Sequence, residues 1–575
     1  MFSNYFPDKI SREIGLKLAE KLEEGSICID LDEYKYTDLE ISKIKKSEFL
    51  AIHNEGKVFP FILLDEKLLY LHRYFFYESQ IINRTFELIN QGECLRKDIY
   101  QKCISVKQSI SSIIGEKSSN WQILAALSPL IKQLTLITGG PGTGKTTSVS
   151  KFIHIFLSLF PDKSVIMTAP TGKASVRMKE SLQKYAENIE DEGLRIKFQK
   201  IRSMTLYSLL GISKYDTSYT TNHEKKLSYD VVIVDESSMI DISLMFKLFY
   251  SIRPETKLIL LGDKFQLSSI GAGSIFGDLC FSVPMNKFSE QDIEFYNAIN
   301  ENNIINAEED REMMSLNPLS GKVIELKKSY RFSEDKGIGK ISKLILEGDI
   351  EGILKFYNAD KAGSDVIFTE NLDNDLTETF LNLYDDYAAE DDITEAFSKL
   401  NKIRILCSVT SGKLSTGYFN GLIETRLFDK GLLKPDIYYY DKQPIMIMEN
   451  DKNLGIFNGD IGIVRLDRES GRYFAYFLTP ELKKISCNQI RKYSTAYAMS
   501  IHKSQGSEFE NVIVVLNDAG KDNFLTRELV YTALTRAKNR VLLISEKEML
   551  INSVKNKVNR ISGINYRLNN SGSII

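Results

Sequence analysis

Three groups of residues in this 575-residue chain have the types and spacing that phosphate chemistry needs. The first lies in LTLITGGPGTGKTTSVSKF: an apolar run, then Gly139, Gly140, Pro141, Gly142, Thr143, Gly144, Lys145, Thr146 and Thr147, then a helical pattern. Glycines so placed let the backbone wrap with its N–H groups facing phosphate oxygens, and a helix start behind them adds a favourable dipole. The lysine reaches the β and γ phosphates, and the next hydroxyl is a ligand for Mg2+. The stretch reads as a P-loop for ATP, with Thr146 on the metal. The second group is YDVVIVDESSMID, where Asp235 at a strand end is placed to hold Mg2+ through water and Glu236 to polarise the attacking water. The third is a pair of arginines, Arg331 in LKKSYRF and Arg536 in LVYTALTRAKNRVLL. They offer the positive charge that a transferred phosphoryl group needs; supplied from a separate unit, they would make hydrolysis depend on closure.

Such groups need strand ends to carry them. From about residue 118 apolar strands (LTLIT, SVIMTA, VVIVDE, LILLGD) alternate with amphipathic helices, the pattern of a parallel α/β sheet with function at the carboxyl ends of its strands. A second α/β unit is expected from 323, with KVIELKKSYRF, RILCSV, NVIVVL and RVLLIS as its strands. Residues 436–478, rich in β-branched and aromatic side chains and punctuated by Asn-Gly-Asp and Ser-Gly, read as an inserted antiparallel sheet or small barrel. Before 110 the chain shows helical patterns and one strand pair, with Asp65 and Glu66 as its hairpin turn. Residues 282–320 read as a surface insertion, and 372–387 as a helix with a solvated acidic face.

Composition sets wide bounds. Lys and Arg total 74 against 77 Asp and Glu, a net charge of -3, so bulk charge names no partner; a local basic stripe would still suffice for nucleic acid. The six cysteines are dispersed, with no C-x-x-C pair, and read as reduced structural thiols. The start, MFSNYFPDKISREIG, lacks a basic segment followed by an apolar one, and no stretch approaches the roughly 18 apolar residues that span a bilayer. A cytoplasmic chain with no membrane partner is expected.

Taken in order, Gln122 in NWQ, the P-loop, TAPTGKA, TLYSLLG, VDESSMID, LGDKFQL, SYRF, SIHKSQGSEF and YTALTRAK resemble the motif series of superfamily 1 helicases, and more narrowly the RecD family, alpha subunits of exodeoxyribonuclease V (RecBCD). LYLHRYFFYE and GIFNGDIGIV resemble stretches of the same family. The resemblance implies an α/β fold: two RecA-like P-loop domains with parallel sheets at 111–322 and 323–575. It adds a small SH3-like β domain inserted at 436–478, a strand-separating pin near 212–228, and a mostly helical, partner-docking N-terminal domain over 1–110. It implies that Gln122 reads the adenine, Gln266 couples the γ-phosphate to the DNA path, and Arg331 and Arg536 are arginine fingers. Gly506 and Glu508 would turn toward the nucleotide, Glu508 to its ribose. Pro170, Thr171, Lys173, His502, Lys503 and Ser504 would face DNA. One departure is Tyr207, where the family commonly has histidine.

The activity so implied is ATP-dependent 5′ to 3′ DNA translocation and unwinding within a heterotrimer with RecB-like and RecC-like subunits. That complex acts in recombinational break repair and degradation of linear DNA, with the nuclease centre on a partner. A regulatory DNA-binding subunit without unwinding, and a stand-alone RecD-like helicase with a longer N-terminal extension, are the rival readings.

Overall fold

The structure is a computed structural model that describes residues 9–34, 41, 42, 45, 50–52, 59–115, 118–212, 226–300, 317–358, 365–370, 372, 375–451, 453–479, 481–518 and 525–570. The N-terminal unit holds the helix Lys9–Glu23 and a small sheet of β1 (Cys28–Asp30), β2 (Leu50–Ile52), β3 (Phe61–Leu64) and β4 (Leu68–Leu71), in the order β1-β4-β3-β2. Asp65 and Glu66 take φ of 49° and 59° between antiparallel β3 and β4, the paired left-handed residues that suit a tight hairpin. A single helix of 34 residues, His72–Ser105, follows in place of several short ones.

The first large sheet contains β5 (Leu134–Thr138), β6 (Val165–Ala169), β7 (Arg202–Thr205), β8 (Val231–Val234), β9 (Lys257–Gly262) and β10 (Val323–Glu325), all parallel, in the order β10-β5-β9-β8-β6-β7. Every residue of β5, β6, β8 and β9 is buried, because helices cover both faces. Two expectations change here. KVIELKKSYRF does not open the second unit; it adds β10 beside β5, with Val323 and Ile324 sunk into the first core. An apolar strand carries no mark of which sheet it joins. Residues 283–300 are not a surface insertion either: Phe288, Ile293, Phe295, Tyr296 and Ile299 pack into that core, and buried Lys132 pairs with Asp292 at 2.8 Å.

The second large sheet begins with β11 (Val366–Thr369) and β12 (Ile403–Cys407). An antiparallel sheet then intervenes, formed by β13 (Pro444–Ile447), β14 (Ile461–Asp467), β15 (Arg472–Thr479), β16 (Glu481–Ser486) and β17 (Tyr493–Thr495) in the order β16-β15-β14-β13-β17. It has its own core of Ile445, Ile447, Val464, Ala475 and Phe477, and it runs to Thr495, past the expected end at 478. β18 (Ala498–Ser500), β19 (Phe509–Val515) and β20 (Ala537–Ile544) complete the parallel sheet in the order β11-β20-β19-β12-β18. Beyond β20 the chain returns to the first unit, where the helix Ile564–Asn569 packs on the helices Ile275–Phe281 and His72–Ser105. Among the described residues no helix is long and apolar enough to cross a membrane. Residues 213–225, most of the expected pin, lie outside the described residues.

Candidate functional site

β5 feeds the chain into the loop before the helix Lys145–Leu159, and Gly142 and Gly144 there take φ of 75° and 89°. A Cβ on Gly144 would lie 2.1 Å from Gln122 Nε2, so this turn admits only glycine. Gln122 is locked by a capping box at the start of the helix Asn120–Ile131: its Oε1 accepts from Ser119 N (3.3 Å) and the Tyr330 hydroxyl (3.1 Å), and Nε2 donates to the Thr143 carbonyl (3.1 Å). Lys145 Nζ donates to the carbonyls of Gly139 and Gly140 across the loop.

Where β8 ends, Glu236 adopts a left-handed conformation (φ 52°, ψ 39°), a strain of about 1 kcal/mol or more for a side chain with a Cβ. Asp235 and Glu236 both line the cleft that the P-loop lines, and Asp235 Oδ1 accepts from Glu236 N at 2.8 Å. Burial first, then the Glu236 charge, pushes the Asp235 carboxyl up to about 6 against the pull of Lys145.

The loop after β9 spans the two sheets. Buried Asp263 Oδ2 accepts from Gln266 Nε2 (3.2 Å) and from the Tyr531 hydroxyl (2.9 Å), which belongs to the second unit's helix Arg527–Leu534. Leu267 N donates to Thr532 Oγ1 (3.0 Å), and Gln505 Nε2 to the Leu267 carbonyl (2.8 Å). The sequence reading gives Asp263, Tyr531 and Gln505 no such role, although they lie inside LGDKFQL, YTALTRAK and SIHKSQGSEF.

Arg331 is not delivered by the second sheet. Tyr330 N donates to the Gly142 carbonyl (2.8 Å) and Ser329 Oγ to that of Pro141 (3.2 Å), so its segment is fastened to the P-loop itself. Arg331 Nη2 pairs with Glu508 Oε1 at 2.8 Å, while Nη1 is buried without a hydrogen-bond partner. Arg536 does come from the second unit; it is 3% exposed and donates to the carbonyls of Thr532 and Ser507, each at 3.2 Å. Glu508, expected to turn toward the nucleotide, lies among cations in the cleft that the P-loop lines. Burial raises its carboxyl, but Arg177 and Arg331 outweigh that and hold it below the usual range. Arg177, one turn beyond Lys173 on the helix Gly172–Ala186, also donates to the Gly506 carbonyl (2.9 Å) and was missed in sequence.

One cleft of about 950 Å³ is lined by all six residues expected to be catalytic, Lys145, Asp235, Glu236, Gln266, Arg331 and Arg536. Gln122, Pro141 through Thr147, Gly506 and Glu508 line it too. Gly139 and Gly140 face away, toward Leu326 and Tyr531. The donor set fits Mg2+: a hydroxyl and a carboxylate are hard oxygen ligands, and the two adjacent carboxylates, with Asp235 raised by burial and by Glu236, favour a nearby cation.

The residues expected to face DNA separate into two groups. Pro170, Thr171, His502 and Lys503 are partly exposed at the ends of β6 and β18; Thr171 Oγ1 caps its helix by accepting from Ala174 N (3.3 Å). Lys503 Nζ donates to Met448 Sδ at 2.9 Å, and burial lowers its pKa. Ser504, in contrast, is fully buried and donates to the Ile501 carbonyl (2.6 Å). Lys173 is partly exposed, and its ammonium lies 5.6 Å from the Phe509 ring centre. There burial, then repulsion from Arg177 and Arg404, push it down to about 7. Next to it, Phe457 on the loop between β13 and β14 packs so closely on Gly172 that a Cβ would meet its ring at 3.0 Å.

Two parallel sheets facing one another across a P-loop, with an arginine from the second closing on the first, define an ATP-hydrolysing motor core of the superfamily 1 helicase class. The AAA domain family matches residues 122–272 and the UvrD-like helicase C-terminal domain family matches 495–544. The chain is 31% identical to the RecBCD enzyme subunit RecD of Haemophilus influenzae over 80% of this chain and 74% of that protein. It is 28% identical to that of Mycolicibacterium smegmatis over 98% and 94%. The chain belongs to the RecD family. It is also 26% identical to the ATP-dependent RecD2 DNA helicase of Deinococcus radiodurans over 71% of this chain and 46% of that protein. A solved Pif1 helicase from Candida albicans aligns at 17% identity with a TM-score of 0.35, over 75% of this chain and 96% of that one.

Proposed function

We propose that this chain is the ATP-dependent 5′ to 3′ DNA helicase subunit of a RecBCD-type exodeoxyribonuclease V, working with RecB-like and RecC-like subunits in break repair and degradation of linear DNA. The observation that carries it is the single cleft in which Lys145, Asp235 and Gln266 of the first unit meet Arg536 of the second. A relative orientation of two sheets that is read by one phosphate is what converts hydrolysis into movement.

In this reading Gln122 recognises the adenine, the P-loop amides and Lys145 hold the phosphates, and Glu236 orients the attacking water. Thr146 and Asp235 would hold Mg2+, whose charge offsets that developing on the phosphates. The unpartnered Nη1 of Arg331 and the guanidinium of Arg536 stabilise the transferred group. Because Arg331 rides on the P-loop segment, sensitivity to closure falls on Arg536. Gln266 passes the state of the γ-phosphate through Asp263 and Leu267 to Tyr531, Thr532 and Gln505. Pro170, Thr171, His502 and Lys503 line the strand path, binding phosphates without reading sequence. DNA cleavage belongs to a partner.

The rival readings are not favoured, since the chain keeps every group that hydrolysis needs and its similarity to RecD exceeds that to RecD2. The test is DNA-stimulated ATP hydrolysis, lost in Lys145→Ala, and unwinding of a 5′-tailed but not a 3′-tailed duplex. Absence of stimulation by any single strand overturns the proposal.

A further inference from the structure

At the opposite end of the first sheet from the nucleotide cleft, basic residues gather around a further hollow. The order β10-β5-β9-β8-β6-β7 leaves β7 at the sheet's edge, and the register of Val165 with Val231 and of Ile166 with Arg202 aligns the amino ends of β6, β7 and β8. A cavity of about 330 Å³ opens there, among the turn before β6, the entry to β8 and the end of the helix Glu192–Lys200. Thr171 and Asp235 follow the carboxyl ends of β6 and β8, so roughly 15 Å of strand separates this cavity from the cleft.

Its lining is of two kinds. Leu157, Val165 and Ile201 are buried and, with half-buried Tyr229, make an apolar wall. Lys163, Lys197, Lys200 and Arg202 stand exposed around it, and among the described residues no acidic side chain lines it. Lys163 is offset by Asp230 at 2.8 Å, whose Oδ2 accepts from Ser164 N and Oγ, and Lys197 Nζ donates to the Pro161 carbonyl (3.1 Å). Lys200 and Arg202 have no side-chain hydrogen bond or ion pair among the described residues. In a chain of net charge -3, the stretch from Gly193 to Ile212 carries Arg195, Lys197, Lys200 and Arg202 and no acid.

Taken singly, these charges have ordinary uses: lysines in a last helical turn suit the helix dipole, and a cation on an edge strand deters stray pairing. Neither use calls for an apolar cavity in their midst. Nucleic acid fits poorly, because it meets cations with phosphates and seats its bases on flat aromatic faces, while this recess is mostly aliphatic. An apolar side chain flanked by carboxylates matches both parts, the anchor desolvated in the cavity and the charges at the polar rim.

We propose that this cavity is a docking site for an acidic peptide segment of a partner protein, anchored by one apolar side chain, with Lys200 and Arg202 meeting its carboxylates. The site lies outside the helicase reading and does not depend on it. A partner held there leaves the nucleotide cleft open.

Fluorescence anisotropy of the full-length chain with a labelled peptide of aspartates ending in phenylalanine tests this, beside the same peptide ending in alanine. The phenylalanine peptide is expected to bind about ten-fold more tightly, with an affinity that falls as salt is added. Lys200→Glu combined with Arg202→Glu should weaken it by about ten-fold, while the thermal midpoint and ATP hydrolysis stay unchanged, since neither residue touches the cleft. Tight binding that ignores the terminal residue, or binding unchanged in the double variant, overturns the inference. So does an oligonucleotide that displaces the peptide and itself loses affinity in the double variant, which would assign this face to nucleic acid. Failure of the phenylalanine peptide to bind overturns it as well and leaves the helicase reading untouched.

Discussion

Arg331 Nη2 lies 2.8 Å from Glu508 Oε1, and the pair ties the segment fastened to the P-loop to the start of β19 in the second sheet. While Glu508 holds Nη2, Arg331 offers a γ-phosphate only its unpartnered Nη1, so Glu508 limits how far the guanidinium can turn toward the transition state. Glu508→Gln keeps the shape and removes the charge, weakening a charge-assisted bond worth about 1.5–3 kcal/mol. Steady-state ATP hydrolysis without DNA should rise in kcat, by about three-fold or more, with KM for ATP little changed. A rise in KM at constant kcat would return Glu508 to a ribose contact.

The buried bond from Tyr531 to Asp263 joins the second unit to the loop that carries Gln266. Tyr531→Phe leaves Asp263 one donor short in a site where solvent cannot replace it, at a cost of about 1–3 kcal/mol. DNA stimulation of ATP hydrolysis should fall by about ten-fold, with nucleotide affinity nearly unaffected. Equal loss of stimulation and of nucleotide binding would mean that the bond only holds the fold.

The chemistry was legible in sequence wherever one local backbone shape is needed. Glycines at 142 and 144 and the Asp235-Glu236 pair declare their geometry within a few residues, and the cleft gathers every catalytic residue expected. What stayed hidden depends on packing between distant elements. Val323 and Ile324 are apolar in either sheet, so Arg331 was assigned to the wrong side of the seam. Lys173, in the first turn of its helix, and Ser504, in the turn after β18, carry polar side chains, and only the fold shows that the Lys173 ammonium lies against Phe509 and the Ser504 hydroxyl is spent on the Ile501 carbonyl. Asp263 and Tyr531 are 268 positions apart, and periodicity says nothing across that distance.

Asp235 makes nucleotide handling depend on pH. Its carboxyl is raised to about 6, first by burial and then by Glu236, so below that pH it is neutral and a poor metal ligand. Affinity for Mg2+ and ATP together should fall as pH drops through about 6 and be flat above about 7. Binding of a fluorescent nucleotide with Mg2+ across that range checks this, and Asp235→Asn should flatten the profile. The sign for stability is opposite: a carboxyl whose folded pKa is raised favours the fold when protonated, so the nucleotide-free protein loses that contribution as pH rises from about 4 through about 6.

The C-terminal segment is held to the N-terminal unit by a buried polar cluster that should be costly to break. Glu78, with no exposed surface, accepts from the Tyr70 hydroxyl (2.9 Å), from Gly563 N (2.9 Å) and from Arg567 Nη1 (3.1 Å). Burial pushes its carboxyl up, and Arg567 is the first of the groups that oppose this. Arg567→Met strands the carboxylate in the interior, which costs about 3–5 kcal/mol, whereas Glu78→Gln together with Arg567→Met removes both charges and should recover most of it. The order of thermal midpoints should therefore be wild type, then the double variant, then Arg567→Met well below. Because Arg560, seven residues earlier on the same segment, donates to the carbonyls of Ser269, Gly271 and Gly273, Arg567→Met should also loosen residues 269–273, seen as faster hydrogen exchange at the Gly273 amide, which donates to the Gly25 carbonyl. A double variant as unstable as Arg567→Met would show that packing of the arginine stem, and not its charge, holds the segment in place.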